Sequence, residues 1–307
     1  MPSLKELSKR EEKFVSGHRL CPGCGAGIIA RQVMLAIDKP VVVGCATGCL
    51  EVSSTIFPFS AWKTPWLHSA FENVAATMSG VESAYKSLKK QGKIKEEIVF
   101  VAFGGDGGTY DIGLQSLSGA AERGHKILYI CYDNQAYMNT GIQRSSSTPK
   151  FSHTTTSPVG KVIPGKIQWG KDLASIMVAH RIPYVATAIP GRWNDLITKV
   201  EKAITFNGFT FIDILSPCRL GWPHQPSLAL EITRLAADTC IWPLYEVVEG
   251  KYKLTYKPKE KKPVEEYLKL QGRFSHLFKP ENKILIEEIQ NQVDIRWEEL
   301  LVKSGEK

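Results

Sequence analysis

No stretch of the 307 residues approaches the roughly 20 consecutive apolar residues of a membrane-spanning helix. The opening MPSLKELSKREEKF is charged where a secretory signal would carry an apolar core. The expectation is a cytoplasmic protein that does not engage a membrane. There is no GxGxxG turn, which tells against a nicotinamide dinucleotide site. No helix-turn-helix, RNA-recognition or histidine-bearing finger pattern is present, so nucleic acid is not an expected partner. Internal repeats and low-complexity segments are also missing. Acidic residues are the minority, 31 against 39 Lys and Arg, for a net charge of +8. That balance suits anionic cofactors or acidic protein partners as well as simple solubility. The excess is concentrated at residues 250–262, GKYKLTYKPKEKK, where six lysines face one glutamate.

What is abundant is core material. Hydrophobic residues make up 43% and tryptophans number seven, enough for one large domain or two ordinary ones. Helical periodicity at 25–36 follows a CxxC turn, and PVVVGCA (40–46) reads as a buried strand. A long helix is expected at 69–92, a strand at 97–108 ending in glycines, a helix at 111–124 and a strand at 126–134. Residues 140–168 lack a clear period and read as a long loop, the kind that is often functional. Helices at 171–180 and 193–206 then alternate with strands at 183–189 and 209–215. Short apolar strands alternating with helices predict an α/β fold, a parallel sheet covered by helices on both faces. After residue 225 the alternation stops. Residues 1–225 are therefore expected to form the main domain, and 226–307 a charged helical extension contacting the domain or partner subunits.

VAFGGDGGTYD sets Asp106 among four glycines, directly after a strand and before a helix. Ligands of a parallel sheet bind at the carboxyl ends of its strands, and glycines let backbone N–H groups approach an anion. An aspartate beside phosphates would repel them unless a divalent cation lies between. Mg²⁺ commonly takes one or two carboxylates plus phosphate oxygens, so Asp106 points to a magnesium–diphosphate site. Asn134 follows 28 residues later, at the end of the next strand. Its amide oxygen, the Asp106 carboxylate and a nearby backbone carbonyl would form half an octahedron. The blander alternative is a tight turn followed by a strand-end cap.

Seven cysteines in a reducing compartment argue for ligands or core thiols, not a disulfide framework. Cys131 and Cys240 read as structural thiols. For HRLCPGCGAG three readings stand side by side. A thioredoxin-like pair expects a strand leading into the CxxC helix, and none does. A zinc site could use Cys21, Cys24, Cys45 and Cys49. An iron–sulfur cluster could use Cys21, Cys24, Cys49 and the distant Cys218, which falls at the same sheet edge as Asp106 and Asn134. Spacing alone does not choose between zinc and iron.

GDGG followed by DN resembles the thiamine-diphosphate motif, with Asp133 in place of its first Asn. Together with CPGCGAG, CATGCLEVSSTIFP, YDNQAYMNTGIQRSSSTP and LQGRF, the chain resembles the β subunit of a 2-oxoacid:ferredoxin oxidoreductase, most closely the pyruvate branch. The resemblance implies a thiamine-diphosphate-binding fold, with Gly105, Gly107 and Gly108 against the diphosphate. It implies that Asp106, Asn134 and the Ala136 carbonyl hold Mg²⁺, and that Asn139 reaches towards the thiazolium and substrate. It implies a [4Fe–4S] cluster on Cys21, Cys24, Cys49 and Cys218. The reaction would be oxidative decarboxylation of a 2-oxoacid, with coenzyme A taking the acyl group and ferredoxin the electrons, or the reverse. Partner subunits of the α, γ and δ type are implied, the α chain supplying the activating glutamate, so that role falls to neither Glu51 nor Glu72. The lysine-rich 250–262 segment would aid ferredoxin docking or subunit contact.

Overall fold

The computed structural model describes residues 3–307. Eight strands form one sheet. They are β1 (Val41–Ala46), β2 (Trp66–Ser69), β3 (Val99–Gly105), β4 (Leu128–Asp133), β5 (Tyr184–Ala188), β6 (Thr210–Leu215), β7 (Tyr245–Val248) and β8 (Lys251–Leu254). Their order is β2-β1-β3-β4-β6-β5-β7-β8. The six strands from β2 to β5 in that order pair in parallel, β7 adds antiparallel to β5, and β8 adds antiparallel to β7. The central strands β4 and β6 are buried at every position, which is why their sequences run apolar without alternating.

Both faces are covered. Helices Gly25–Ala36 and Trp193–Ala203 pack Ile29, Val33, Leu196 and Val200 on one side of the sheet. Helices Val74–Lys90, Leu114–Glu122, Leu173–Ala179 and Ala229–Asp238 cover the other, where helix Lys283–Lys303 adds Val293, Trp297 and Leu300. No helix among the described residues is long and apolar enough to cross a membrane.

Two expectations about secondary structure are corrected. The long helix begins at Val74, not residue 69, because Trp66–Ser69 is a short edge strand. It is exposed in the middle and bonded only to β1, so it carries no hydrophobic period to read. The extension after residue 225 is not purely helical, since the hairpin β7–β8 continues the sheet. In β8, KYKL, exposed lysines alternate with half-buried Tyr252 and Leu254, and the lysines mask the period. The 140–168 stretch is without helix or strand, as expected. The strands β1, β3, β4 and β6 end at Ala46, Gly105, Asp133 and Leu215. Their parallel register brings the segments that follow, carrying Cys49, Asp106, Asn134 and Cys218, to one edge of the sheet.

Candidate active site

β3 ends at Gly105 and the chain turns into a one-turn π-helix, Gly107–Asp111. A Cβ on Gly107 would sit 2.5 Å from the Tyr137 ring, and one on Gly108 would sit 2.9 Å from the Phe71 carbonyl oxygen. On Gly105 it would come within 3.3 Å of the Tyr132 ring. Close packing of the chain against itself thus demands small residues here. What the turn can offer an anion is backbone N–H groups.

Asp106 is only 1% exposed. Its Oδ1 accepts from the Asn134 N–H at 3.2 Å, and its Oδ2 is buried without a partner. The amide oxygen of Asn134 lies 2.9 Å from Asp106 Oδ1 and 2.8 Å from the Ala136 carbonyl oxygen. Three oxygens therefore meet with no proton between them. Turning the amide over would let its nitrogen donate to both neighbours, and no cation would be needed. With oxygen inward, the triad calls for a cation. An octahedral ion with ligands at about 2.0–2.1 Å sets neighbouring oxygens about 2.9 Å apart, so the three oxygens could hold Mg²⁺ at one face. Burial, reinforced by the nearby Asp133, pushes Asp106 well above the usual carboxylate range. A bound divalent cation would reverse that preference.

The loop that carries Asn134 and Ala136 is held from several sides. Gln135 adopts φ 66°, a left-handed conformation costly for a residue with a Cβ. Its N–H donates to Asp133 Oδ1 at 2.9 Å, and its carbonyl accepts from Thr148 Oγ1 at 2.7 Å. Ser147 Oγ donates to the other Asp133 oxygen. The buried Lys166 ammonium donates to the carbonyls of Ser145, Ser146 and Thr148 at 3.3, 3.4 and 2.5 Å. Trp222 Nε1 donates to the Asn134 carbonyl at 2.8 Å. Arg273 reaches in from the C-terminal extension, donating to Gln135 Oε1 at 2.6 Å and Gln271 Oε1 at 2.7 Å. Its guanidinium lies 4.1 Å from the centre of the Trp222 ring. Burial pushes Lys166 down to about 8, Arg273 down to about 10 and Asp133 up to about 6.

The cysteines gather at the same edge. Cys24 caps helix Gly25–Ala36. The Gly25 N–H donates to the Pro217 carbonyl at 2.9 Å, fastening the CxxC turn to the Cys218 loop. A Cβ on Gly25 would fall 2.4 Å from Pro217 Cδ, so this contact explains the glycine. The Gly221 N–H donates to Cys218 Sγ at 3.4 Å. Cys24, Cys49 and Cys218 lie close enough to act electrostatically on one another, and Cys21 acts on Cys49 and Cys218. Burial pushes the Cys24 and Cys49 thiols up to about 11 and raises Cys218 too. Backbone N–H groups of Ala26, Gly27, Leu220 and Gly221 and the Asn139 side chain work against that rise. Such N–H donors suit thiolate ligands. Among the described residues, no three of His, Cys, Asp or Glu are gathered tightly enough for a single metal ion. Cys45, Cys131 and Cys240 are buried thiols. Cys45 is 0% exposed within β1, packed in the core, which takes it out of any ligand set.

The predicted oxygen ligands thus converge, and so do the four cysteines, while Asn139 lies exposed beside the Cys49 thiol. Sequence reading did not single out Gln135, Lys166, Trp222 or Arg273. Arg273 carried a signal through LQGRF, and Gln135 through YDNQAYMNTGIQRSSSTP. Lys166 acts within the long loop, and Trp222 through a contact 88 residues away in the chain.

Residues 43–214 match the family described as thiamine pyrophosphate enzyme, C-terminal TPP binding domain. The pyruvate synthase subunit PorB of Thermotoga maritima is 55% identical over 97% of this chain and 94% of its own length. The chain belongs to the family of pyruvate synthase PorB subunits. The PorB of Methanocaldococcus jannaschii is 54% identical over 93% of this chain and 95% of its own. The ketoisovalerate oxidoreductase subunit VorB of Pyrococcus abyssi is 44% identical over 94% and 93%. Among solved structures, a 2-oxoglutarate:ferredoxin oxidoreductase from Magnetococcus marinus shares the fold, with TM-score 0.56 and 22% identity over 68% of this chain and 69% of that one. This PorB-family chain is accordingly a subunit of a 2-oxoacid:ferredoxin oxidoreductase of the pyruvate synthase type. Its thiamine domain spans the sheet from β1 to β6, the strands whose ends assemble the oxygens and thiols.

Proposed function

We propose that this chain binds thiamine diphosphate through Mg²⁺ and carries a [4Fe–4S] cluster beside it, so that an assembled enzyme can convert pyruvate, coenzyme A and oxidised ferredoxin to acetyl-CoA, CO₂ and reduced ferredoxin, or run the reverse. The observation that carries the reading is the convergence of two donor sets on one sheet edge. The oxygens of Asp106, Asn134 and Ala136 suit a hard cation, and the thiols of Cys21, Cys24, Cys49 and Cys218 suit iron and sulfide. When bound, thiamine diphosphate supplies the nucleophilic carbon and the electron sink for decarboxylation, and the cluster supplies an outlet for single electrons.

The chain's own contribution is placement. Asp106, Asn134 and the Ala136 carbonyl would hold the cation, and the Gly105–Gly108 turn would offer backbone N–H groups to the diphosphate. Asp133, Gln135, Trp222 and Arg273 fix the loop that presents those oxygens. Burial keeps water from Asp106. Backbone N–H groups of the CxxC and Cys218 loops compensate thiolate charge. Asn139, beside Cys49, would reach from there towards the bound cofactor. The site is completed by partner subunits, which supply the activating glutamate. Exposed Phe57 and Phe59, in the segment after Cys49, and Val162 on the long loop are suited to covering by those subunits, as are parts of residues 226–307. The substrate is pyruvate, in line with PorB relatives at 55% and 54% identity against 44% for VorB.

The test is metal and sulfide analysis of anaerobically purified assembled enzyme, wild type against Cys218→Ser. Loss of about four iron and four sulfide per chain is expected, the content of one cubane, with Mg²⁺-dependent thiamine diphosphate binding retained. Zinc in place of iron and sulfide would overturn the cluster. Ferredoxin reduction assayed with pyruvate, 2-oxoglutarate and 2-oxoisovalerate decides the substrate, and a preference for either of the latter two would overturn pyruvate.

A further inference from the structure

Tyr132 sits on β4 two residues before Asn134 and is 2% exposed. Its hydroxyl is buried without a hydrogen-bond partner. A phenol, with an ordinary pKa of about 10, is protonated at neutral pH, so the oxygen is a neutral donor. A buried donor left unpaired is costly, and native chains rarely keep one unless an absent group accepts from it.

The direction in which the hydroxyl points is fixed by its neighbours. The ring lies against Gly105, where a Cβ would come within 3.3 Å of it. A Cβ on Gly48 would sit 2.7 Å from the hydroxyl oxygen and 4.0 Å from the ring carbon that bears it. The difference is close to the whole length of the C–O bond, so that bond points nearly straight at the space above Gly48. Gly48 is extended, so its lack of a side chain serves to leave that space open. Cys49 follows immediately and opens the helix Cys49–Ser54. The hydroxyl thus stands between Gly105, where a Cβ would lie 3.4 Å from it, and Gly48, and its C–O bond is aimed at Gly48, the residue before Cys49.

We infer that the Tyr132 hydroxyl donates a hydrogen bond to the sulfur side of the iron–sulfur site, to the Cys49 thiolate or an adjoining cluster sulfide, and thereby raises the cluster's reduction potential. The inference rests on the cluster reading above. A donor at sulfur withdraws electron density and favours the more negatively charged, reduced cluster. Tyr132 is a positioning and tuning residue, not a catalytic one.

The test is a potentiometric titration of the assembled enzyme, following the cluster's electron paramagnetic resonance. The signal is assigned to this chain by its loss in Cys49→Ser. Tyr132→Phe removes only the hydroxyl. It is expected to lower the ratio of reduced to oxidised cluster at a fixed potential by about threefold to tenfold, the worth of one hydrogen bond. Iron content and thiamine diphosphate affinity should stay at wild-type values. Gly48→Ala places a methyl where the hydroxyl points and should shift the potential in the same direction, which guards against a folding defect in the first variant. An unmoved potential in both variants would overturn the inference. So would a weakened thiamine diphosphate affinity with an unmoved potential, since the hydroxyl would then serve the diphosphate. Wild-type enzyme without iron at these cysteines would overturn the proposed function itself, a distinguishable result.

Discussion

Arg273 ties the C-terminal extension to the loop that carries Asn134 and Ala136, and its removal separates stability from site geometry. Arg273→Met takes away the donors to Gln135 Oε1 and Gln271 Oε1. Orphaning a buried acceptor costs about 1–3 kcal/mol, and losing the stack on Trp222 adds about 1–2 kcal/mol. Against this, burial holds Arg273 at about 10 where 12.5 is ordinary. At about 1.4 kcal/mol per pKa unit, deleting that strained charge returns about 3 kcal/mol. With two acceptors orphaned the losses come to about 3–8 kcal/mol, so much of the cost is offset and the net loss of global stability should be about 0–5 kcal/mol. The site does not share in that offset. Gln135 is held at φ 66°, which costs about 1–2 kcal/mol for a residue with a Cβ. Without Arg273 on its side chain, Gln135 relaxes towards ordinary backbone and displaces Asn134 and Ala136 on either side. Binding must then rebuild the triad. Thiamine diphosphate affinity in the presence of Mg²⁺, measured by titration calorimetry on the assembled enzyme, should weaken by about 5- to 30-fold, the equivalent of that backbone cost. Arg273→Lys keeps a charge but not the fork and should fall between. Affinity within twofold of wild type, together with a melting temperature lowered by several degrees, would refute the reasoning and leave Arg273 a packing residue.

Three further outcomes are expected. Cys45→Ala should keep full iron and sulfide while losing some thermal stability, because the thiol is core, and metal analysis beside Cys218→Ser checks the contrast. Asp133 titrates at about 6 in the fold against 3.8 ordinarily, so between those values the folded chain retains a proton that the unfolded chain has lost. Stability then falls as pH rises through that window. Asp133→Asn removes this share, about 3 kcal/mol at about 1.4 per unit, and its melting temperature without cofactors should fall less from pH 4 to pH 6 than that of the wild type. In the lysine-rich segment, Lys257, Lys261 and Lys262 pair with Glu306, Asp294 and Asp238 within the chain, which gives those three a bracing role. Lys251, Lys253 and Lys259 are exposed. Changing them to Gln should raise the KM for ferredoxin at low salt and flatten its salt dependence, whereas an unchanged KM and slope would confine the segment to the fold.

The sequence by itself determined the layered α/β core, because strands buried on both faces must run apolar and their covering helices must be amphipathic. It also pointed to metals at the site, because an aspartate among glycines and cysteines in a CxxC turn are local patterns that suit them. Only the tertiary structure decided what those patterns touch. The glycines after β3 prove to be required by Tyr132, Tyr137 and Phe71 as packing neighbours, a reason no local spacing contains. Cys218 meets the CxxC turn through a bond from Gly25 to Pro217, across nearly two hundred residues. The edge strand β2 and the hairpin β7–β8 escaped reading because sheet pairing, a long-range backbone interaction, defines them where side-chain period does not. Arg273, Trp222 and Lys166 gained their roles in the same way. Each is a buried donor whose acceptors are brought to it by the folding of loops that carry no period, so its meaning exists only once the chain has folded around it.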